Sequence, residues 1–263
     1  TIIDISDSRF TNNAAVEMNQ QTVSHMKLEG NTVHKWEDGG ALFIELGPTV
    51  NVLRTTFSDN TASEGGAIRN IAGTLIVSDS IVESNYAFAN GGGYSFRSSP
   101  SSRVEFYRTL FEANKAKLSG GAVHGNEIML KVENSTFKNN VCDSGSGGAL
   151  FVTGPGSFEM SGTLVVGNNM TSPVSLVNVD NADGGGGLFA VNFKTSQSKF
   201  LLISSTFTNN EAKSPDDGLN TILVGGGVYL KNLDSTAAAL LIEDLLISYN
   251  HVNFGNGGGI GFL

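Results

Sequence analysis

Two short motifs, Phe137-Lys138-Asn139-Asn140 and Gly147-Gly148-Ala149-Leu150, decide the fold of this chain. The first has the form F-x-x-N, and the second has the form G-G-A followed by an aliphatic residue. Eight copies of each, some of them degenerate, alternate strictly from Phe10 to Ile260. The shortest spacing between copies is roughly 26 residues, a period that indicates a stacked repeat architecture. The repeat therefore predicts one continuous solenoid over residues 1–263.

Aligning the repeats on the last residue of F-x-x-N shows what each position contributes. The Asn residues are Asn13, Asn60, Asn85, Asn114, Asn140, Asn168, Asn210 and Asn250. Apolar residues stand seven and five positions before the Phe position in every copy, as Leu130 and Val132 do before Phe137. This period-two alternation is typical of a strand with one buried face. With a unit of about 26 residues and no helical periodicity, it predicts an all-β fold, a three-faced parallel β-helix of eight to nine coils.

Each repeated residue type has a physical role in such a coil. Strands of neighbouring coils lie about 4.8 Å apart, so equivalent side chains form columns along the solenoid. We expect the Phe column to fill the interior, and the Asn column to close one corner together with a Ser or Thr two positions before the Phe. Each Asn would donate to one neighbouring coil and accept from the other. The paired glycines would turn another corner, since Gly accepts positive φ.

Composition and charge exclude several classes of protein. The net charge is -9 and the sequence pI is about 4.9. With no cluster of Lys and Arg, this balance argues against a nucleic-acid partner. A single cysteine, Cys142, excludes an internal disulfide framework. No apolar run reaches the roughly 18 residues that a membrane-spanning helix needs. Both ends interrupt a repeat, so we expect a fragment of a longer solenoid.

Three long inserts interrupt the repeat at the same corner, between the Asn and the glycine pair. They comprise residues 14–38, 169–184 and 211–224. The first contains Leu28-Glu29-Gly30-Asn31, which suggests a ninth, shortened coil. The other two lie on consecutive coils and are expected side by side at one edge. Because loops of this length in a compact body are usually functional or mobile, any specific function is predicted there.

The alternation of F-x-x-N with G-G-A-[ILV] resembles the repeats of the chlamydial polymorphic membrane proteins along nearly the whole chain. Matching copies begin at Phe10, Phe57, Phe111, Phe137 and Phe207, and at Gly39, Gly65, Gly120 and Gly147. The later glycine copies depart to G-G-G. The resemblance implies a right-handed β-helix at a cell surface that acts in adhesion or self-association. We therefore expect a non-enzymatic, extracellular or cell-surface protein without a cofactor, whose partners are copies of itself, other surface or filament proteins, or glycans.

One candidate binding surface is aromatic. Phe151, Phe189 and Tyr229 stand on consecutive coils between two inward positions and should point outward. Such a stripe could stack on sugar rings or contact a partner protein. The alternative, which we favour, is that the neighbouring inserts bury these side chains. His124 shares the column and is expected to be an exposed strand residue.

The second and third inserts carry the candidate metal ligands Asp180, Asp183, Asp216 and Asp217. Carboxylates that converge could bind Ca²⁺, although acidic loop residues are more often merely solvated and no Ca²⁺-loop motif is present. The same acids support an alternative function, a polysaccharide lyase or glycoside hydrolase, because such enzymes need carboxylates beside the scissile bond.

The remaining candidate sites have structural explanations. Cys142 stands where other copies have Ala, as at Ala62 and Ala116, which indicates a small buried position. Asn134 and Asn169 begin glycosylation sequons. In a chain this rich in Asn, Ser and Thr, two sequons would arise by chance, so they say nothing about secretion.

Overall fold

The computed structural model of the protein describes residues 1–15, 26–28, 39–45, 47–97, 102–127, 129–171, 183–193, 195, 198–213, 223–233, 239–253 and 255–262. Within these ranges every regular element is a strand. All strand pairs are parallel, and each coil contributes one strand to each of four sheets. The chain is therefore a parallel β-helix, and the fold prediction is confirmed.

Sheets 1 and 2 contain eight strands each. The strands of sheet 1 are Ile2–Ser6, Thr49–Leu53, Thr74–Ser78, Arg103–Tyr107, Met129–Glu133, Ser157–Ser161, Lys199–Ile203 and Ala239–Glu243. The strands of sheet 2, which carry the Phe position, are Arg9–Thr11, Thr56–Ser58, Ile81–Glu83, Leu110–Glu112, Thr136–Lys138, Leu164–Val166, Thr206–Thr208 and Leu246–Ser248.

Sheets 3 and 4 contain eight and nine strands, and a fifth sheet contains three. The strands of sheet 3 are Ala14–Ala15, Thr61–Ala62, Tyr86–Ala87, Lys115–Ala116, Val141–Cys142, Asn169–Thr171, Glu211–Lys213 and His251–Val252. Those of sheet 4, which follow the glycine pairs, are Met26–Leu28, Leu42–Ile44, Ile68–Asn70, Tyr94–Phe96, Val123–Asn126, Leu150–Thr153, Leu188–Val191, Val228–Lys231 and Ile260–Phe262. Those of sheet 5 are Asp183–Gly184, Leu223–Val224 and Gly255–Asn256.

The number of sheets differs from the predicted three faces. The residues after each Asn form the two- or three-residue strands of sheet 3, which are too short to show period-two alternation in the sequence. These strands also contain the first residues of all three inserts, for example Asn169–Thr171. The inserts therefore begin two or three residues later than predicted.

The interior is filled by columns of apolar side chains. Phe57, Phe111, Phe137 and Phe207 of sheet 2 are completely buried. Phe111 is the register partner of Phe137, and their rings stack with centroids 4.9 Å apart and planes 3° apart. Burying a side chain of this size stabilises the fold by about 1.5–3 kcal/mol, so a repeated Phe position supplies much of the driving force for stacking coils.

The Asn ladder closes the corner between sheets 2 and 3. The Asn140 Nδ2 donates to the Phe111 carbonyl at 3.0 Å and to Asn168 Oδ1 at 2.9 Å. The Asn140 Oδ1 accepts from the backbone nitrogen and Nδ2 of Asn114, at 3.0 and 3.1 Å. Side-chain bonds of this kind link all eight Asn residues, from Asn13 to Asn250.

The hydroxyl column closes a different corner, between sheets 1 and 2. The Ser135 Oγ donates to the Glu133 carbonyl at 3.0 Å and accepts from the Thr109 backbone nitrogen at 3.1 Å. The assignment of Asn and hydroxyl to one corner was wrong, because a strand of sheet 2 separates the two columns.

The glycine pair turns the corner before sheet 4. Gly120 has a φ of +64°, and Gly121 lies against the next coil, where an added Cβ would overlap the carbonyl oxygen of Gly148. The first glycine is required for its backbone conformation and the second for close approach.

The first insert supplies the ninth strand of sheet 4. Met26–Leu28 pairs in parallel with Leu42–Ile44, at the outer edge of the sheet. Sheets 1 to 3 end instead on strands of the first coil, such as Ile2–Ser6. Part of the suggested ninth coil is thus present, as one strand of one sheet.

Candidate functional site

The predicted outward column forms the outer face of sheet 4. Its members are register partners in the order Phe43, Arg69, Ser95, His124, Phe151, Phe189, Tyr229 and Gly261. They alternate with residues that fill the interior, such as Leu150 and Val152. Most of the column is nevertheless buried, since Phe43, Arg69, Ser95, Phe189 and Tyr229 are each exposed by 6% or less. The outer face of sheet 4 therefore carries a second layer of packed side chains.

The aromatic part of this layer is a continuous stack. Ring centroids lie 5.1 Å apart for each successive pair of His124, Phe151, Phe189 and Tyr229. The first three rings are parallel to within 5°, and Tyr229 meets Phe189 edge-on at 75°. Each face of Phe151 and of Phe189 is thus turned toward a neighbouring ring. A sugar that stacks on an aromatic side chain needs a free face, so this geometry favours packing over sugar binding.

The other end of the column is polar. The Arg69 Nη1 lies 2.5 Å from both Glu64 Oε2 and Ser95 Oγ, with the Arg69 side chain almost fully buried. Burial, followed by the charge of Arg69, lowers the pKa of His124 to about 3. His124 is half-buried rather than exposed, and its lowered pKa keeps the imidazole neutral at physiological pH.

The second and third inserts meet at sheet 5. Asp183–Gly184 pairs with Leu223–Val224, which pairs with Gly255–Asn256. The last residues of the two inserts are adjacent, as predicted. Asp180, Asp216 and Asp217 lie outside the described residues, and Asp183 is described only as a strand residue. Among the described residues no group of three or more His, Cys, Asp or Glu side chains could hold a metal ion. The Ca²⁺ hypothesis for the inserts stays a prediction.

The isolated candidates occupy distinct environments. Cys142 is buried beside Met170 and Ala212, and its Sγ lies 3.1 Å from the Leu118 carbonyl oxygen. Asn134 is exposed, at a corner residue with a φ of +50°. Asn169 is half-buried in sheet 3. Of the two sequons, only the Asn134 side chain is freely presented.

A cluster of charged residues on the outer face of sheet 1 escaped the sequence analysis. Glu105 is 5% exposed, pairs with Arg103, and accepts a hydrogen bond of 2.9 Å from the Tyr107 hydroxyl. The Lys131 Nζ lies 5.2 Å from the centre of the Tyr107 ring and 2.9 Å from Glu133. Burial, followed by the hydrogen bond with Glu105, raises the pKa of Tyr107. Aligning the outward positions of sheet 1 would have revealed this alternation of charge between coils.

Comparison with known proteins gives one match. The family model for a right-handed beta helix region matches residues 1–170 of the 263, more than half of the chain. Neither the curated proteins nor the solved structures contain a significant match. Within the residues that the structure describes, no helix is long and apolar enough to cross a membrane.

Proposed function

The chain belongs to the right-handed β-helix family, and we propose that it is a non-enzymatic, extracellular or cell-surface solenoid acting in adhesion or self-association. The F-x-x-N and G-G-A repeats support the proposal, because they resemble those of the chlamydial polymorphic membrane proteins.

The repeat itself is the observation that carries the proposal. Side-chain hydrogen bonds link the Asn residues of all eight coils, from Asn13 to Asn250. All strand pairs are parallel, so coils with the same columns can pair with one another through their strands. A solenoid of this kind is suited to self-association.

Light scattering and negative-stain images over a concentration series test the self-association function. We expect oligomers that grow with concentration. Adhesion is measured separately, as binding to cell surfaces and to a glycan array. Dispersed monomers at every concentration, together with no binding to either surface, would contradict the proposal.

The charged cluster on sheet 1 supports a second candidate function, a polysaccharide lyase or glycoside hydrolase. Glu105 and Glu159 both neighbour Lys131 in one outward column, so their Cα atoms are about 9.6 Å apart. Glycoside hydrolases use two carboxyl groups that flank the scissile bond, and a pair on one sheet face is the arrangement that such a role requires. Incubation with acidic and neutral glycans, assayed for new reducing ends or unsaturated sugars, tests this function. If the protein cleaves a glycan, and Glu105→Gln and Glu159→Gln each abolish that cleavage, the protein is an enzyme and the non-enzymatic proposal is wrong.

A further inference from the structure

The outer face of sheet 3 carries an exposed pair of aromatic side chains. Tyr86 pairs in register with Thr61 and Lys115 and points away from the interior, because the next residue, Ala87, is completely buried. Phe88 follows at the next outward position and is 49% exposed. The two rings meet edge to face, with centroids 4.9 Å apart and planes at 79°. Tyr86 and Phe88 thus form an aromatic patch on the protein surface.

The aromatic patch differs from the buried stack on sheet 4 in the ring faces that it leaves free. Phe151 and Phe189 turn both of their faces toward neighbouring rings. In an edge-to-face pair one ring contributes an edge and the other a single face, so the remaining faces are not turned toward an aromatic neighbour. Because Phe88 is also half exposed, the patch can accept a flat apolar surface, such as the C–H face of a pyranose ring.

Basic residues border the aromatic patch on the next coil. Lys115 is the register partner of Tyr86. Lys117 takes the position of Phe88, since the backbone nitrogens of both residues donate to an alanine carbonyl of the preceding coil. Adjacent strands lie about 4.8 Å apart, so both Lys side chains can reach a ligand that covers the patch.

The two Lys side chains differ in how their charge is neutralised. The Lys115 Nζ lies 2.9 Å from Asp143 Oδ2. Lys117 is exposed and forms no ion pair with any residue that the structure describes. The chain as a whole has a net charge of -9, so the charge of Lys117 is a local feature that acts over about 8–10 Å at physiological salt. The site therefore favours a ligand that combines an apolar ring with an anionic group.

The size of the aromatic patch favours a saccharide over a protein partner. A stable protein interface buries roughly 1,200–2,000 Å² in total, whereas an aromatic side chain supplies at most about 150–250 Å². The neighbouring coils present polar side chains at the same two positions, Thr61 and Ser63 before the patch and the two Lys residues after it. Two rings with a polar rim match one or two sugar units, whose hydroxyl groups need polar partners.

We propose that Tyr86, Phe88 and Lys117 form a binding site for an acidic saccharide, in which a pyranose ring stacks on the aromatic patch and its carboxylate or sulfate group pairs with Lys117. The inference rests on the adhesion part of the proposed function, because it names the surface and the class of glycan that adhesion would use. It also moves the glycan site from the predicted stripe of Phe151, Phe189 and Tyr229 to sheet 3.

Isothermal titration calorimetry on the full chain tests the site with three acidic probes: oligogalacturonate, a hyaluronan fragment and a sulfated galactan fragment. The carboxyl-reduced or desulfated form of each probe is its neutral counterpart. We expect at least one acidic probe to bind, and its neutral counterpart to bind roughly threefold to fivefold more weakly, as an exposed charge pair contributes that much. Comparing the carboxylated probes with the sulfated one identifies the anionic group.

Substitutions in the aromatic patch test the stacking. Phe88→Ser should weaken binding of acidic and neutral probes alike by about tenfold, because the apolar contact is lost. Phe88→Leu should also weaken binding of both, since an aliphatic side chain is not flat. The matched control is Tyr249→Ser, which removes an aromatic side chain that is 85% exposed at another corner and should leave binding unchanged. Circular dichroism checks that each variant is folded.

A charge substitution tests the role of Lys117. Lys117→Gln should weaken binding of the acidic probe roughly threefold to fivefold and leave binding of the neutral probe unchanged. Arg9→Gln is the matched control, because it removes the same charge from an exposed position on sheet 2 and should affect neither probe.

The proposal is wrong if no acidic probe binds, or if Phe88→Ser and Lys117→Gln bind the probes as tightly as the unmodified chain. It is also wrong if Phe88→Ser removes oligomers without changing saccharide binding, since the aromatic patch would then be a protein contact. Failure of the proposed function looks different. In that case the chain neither adheres to cells nor assembles, while a free acidic saccharide still binds at Phe88 and Lys117.

Discussion

Two corners flank sheet 2, and at each of them an outer residue precedes an inner one. The outer and inner positions differ in which residue types they accept. At the corner before sheet 3 the second residue is Asn in all eight coils, buried in six of them and half-buried as Asn13 and Asn250. The residue before it is exposed except for the half-buried Gly167, and all eight have φ between +52° and +65°: Asn12, Asp59, Ser84, Ala113, Asn139, Gly167, Asn209 and Tyr249. Residue identity is therefore fixed on the buried side, while the exposed side shares only a backbone conformation.

The physical reason is the difference in solvation. A buried amide without its partners loses the hydrogen bonds that water would have supplied, at about 1–3 kcal/mol for each group. An exposed side chain keeps water as a partner, so its main energetic cost is the left-handed backbone, about 1–2 kcal/mol for a residue other than Gly. The same distinction holds at the corner before sheet 2, where buried Thr109 follows exposed Arg108.

The largest loss of unfolding free energy is expected at the glycine corner, where the buried second glycine lies too close to the next coil to accept a side chain. In Gly121→Ala the new Cβ would overlap the Gly148 carbonyl oxygen and approach backbone atoms of Val141 at 2.7 Å. Because backbone must move in two coils, we expect a loss of about 4 kcal/mol or more of unfolding free energy, measured by urea denaturation.

The control for this substitution is Gly162→Ala at an exposed corner. Gly162 has a φ of +57°, but its Cβ would crowd only the side chain of Asn134, which can rotate away, and lie at ordinary contact distance from the Asn134 backbone nitrogen. We expect a loss of about 1 kcal/mol from the backbone conformation alone. Equal losses in the two variants would show that φ, and not the approach of neighbouring coils, sets the cost.

The next effect compares two adjacent residues, Asn140 and Asn139. Asn140→Ala removes the acceptor of the Asn114 backbone nitrogen and the donor to the Phe111 carbonyl, both of them buried. We expect a loss of about 3 kcal/mol in urea unfolding, since at least two groups lose partners. Asn139→Ala, at an exposed position with a φ of +54°, should cost less than about 1 kcal/mol. Similar losses at both positions would contradict a special role for the buried ladder.

The sequence was sufficient to predict the columns of the interior. Phe137 and Asn140 repeat in type and spacing because stacking brings identical positions of successive coils into contact. Each column therefore leaves a repeated residue type in the sequence. Sheet 3 was missed because its strands leave no such pattern. A strand as short as Val141–Cys142 has one inward residue and therefore no alternation to detect.

The outer surfaces were less predictable, because burial there depends on distant chain segments. Tyr229 occupies an outward strand position, where a period of two predicts exposure, and its burial was favoured only because long inserts lie on the neighbouring coils. Similarly, the sequence places Arg103 and Tyr107 two positions from Glu105, but it does not show that Glu105 is only 5% exposed. The acids of the inserts remain a prediction because Asp180, Asp216 and Asp217 lie outside the described residues.

A smaller effect, of opposite sign, is expected on the exposed side of the Asn corner. Ala113 is exposed and has a φ of +52°, a conformation that Gly adopts without strain. Ala113→Gly should relieve about 1–2 kcal/mol of strain and lose about 0.5–1 kcal/mol through the more flexible unfolded chain. The net result is a stabilisation of about 0.5–1 kcal/mol in urea unfolding. Ala113→Val is the control and should destabilise, since a β-branched residue tolerates positive φ poorly. A loss of stability in the Gly variant would show that strain at this corner is negligible.

The smallest effect concerns the exposed ion pairs of the other corner. The Arg108 Nε and Nη2 donate to the two carboxylate oxygens of Asp79, at 2.6 and 2.8 Å. This hydrogen-bonded pairing lowers the pKa of Asp79. A carboxyl group whose pKa is lower in the folded state binds protons more readily when unfolded, so its contribution is complete above the unfolded value of about 4 and disappears as pH falls through the native pKa.

Asp79→Asn should therefore lower the urea midpoint slightly near neutral pH, and the difference from the unmodified protein should vanish in acid. It should also shrink in about 1 M salt, since exposed charges are screened at that ionic strength. Asp59→Asn is the matched control, because it removes the same charge from another exposed corner position, with a φ of +56°. A difference that persists in both acid and high salt would mean that Asp79 acts through its backbone conformation, as Ala113 does, and the charge pairing would then contribute nothing to the corner.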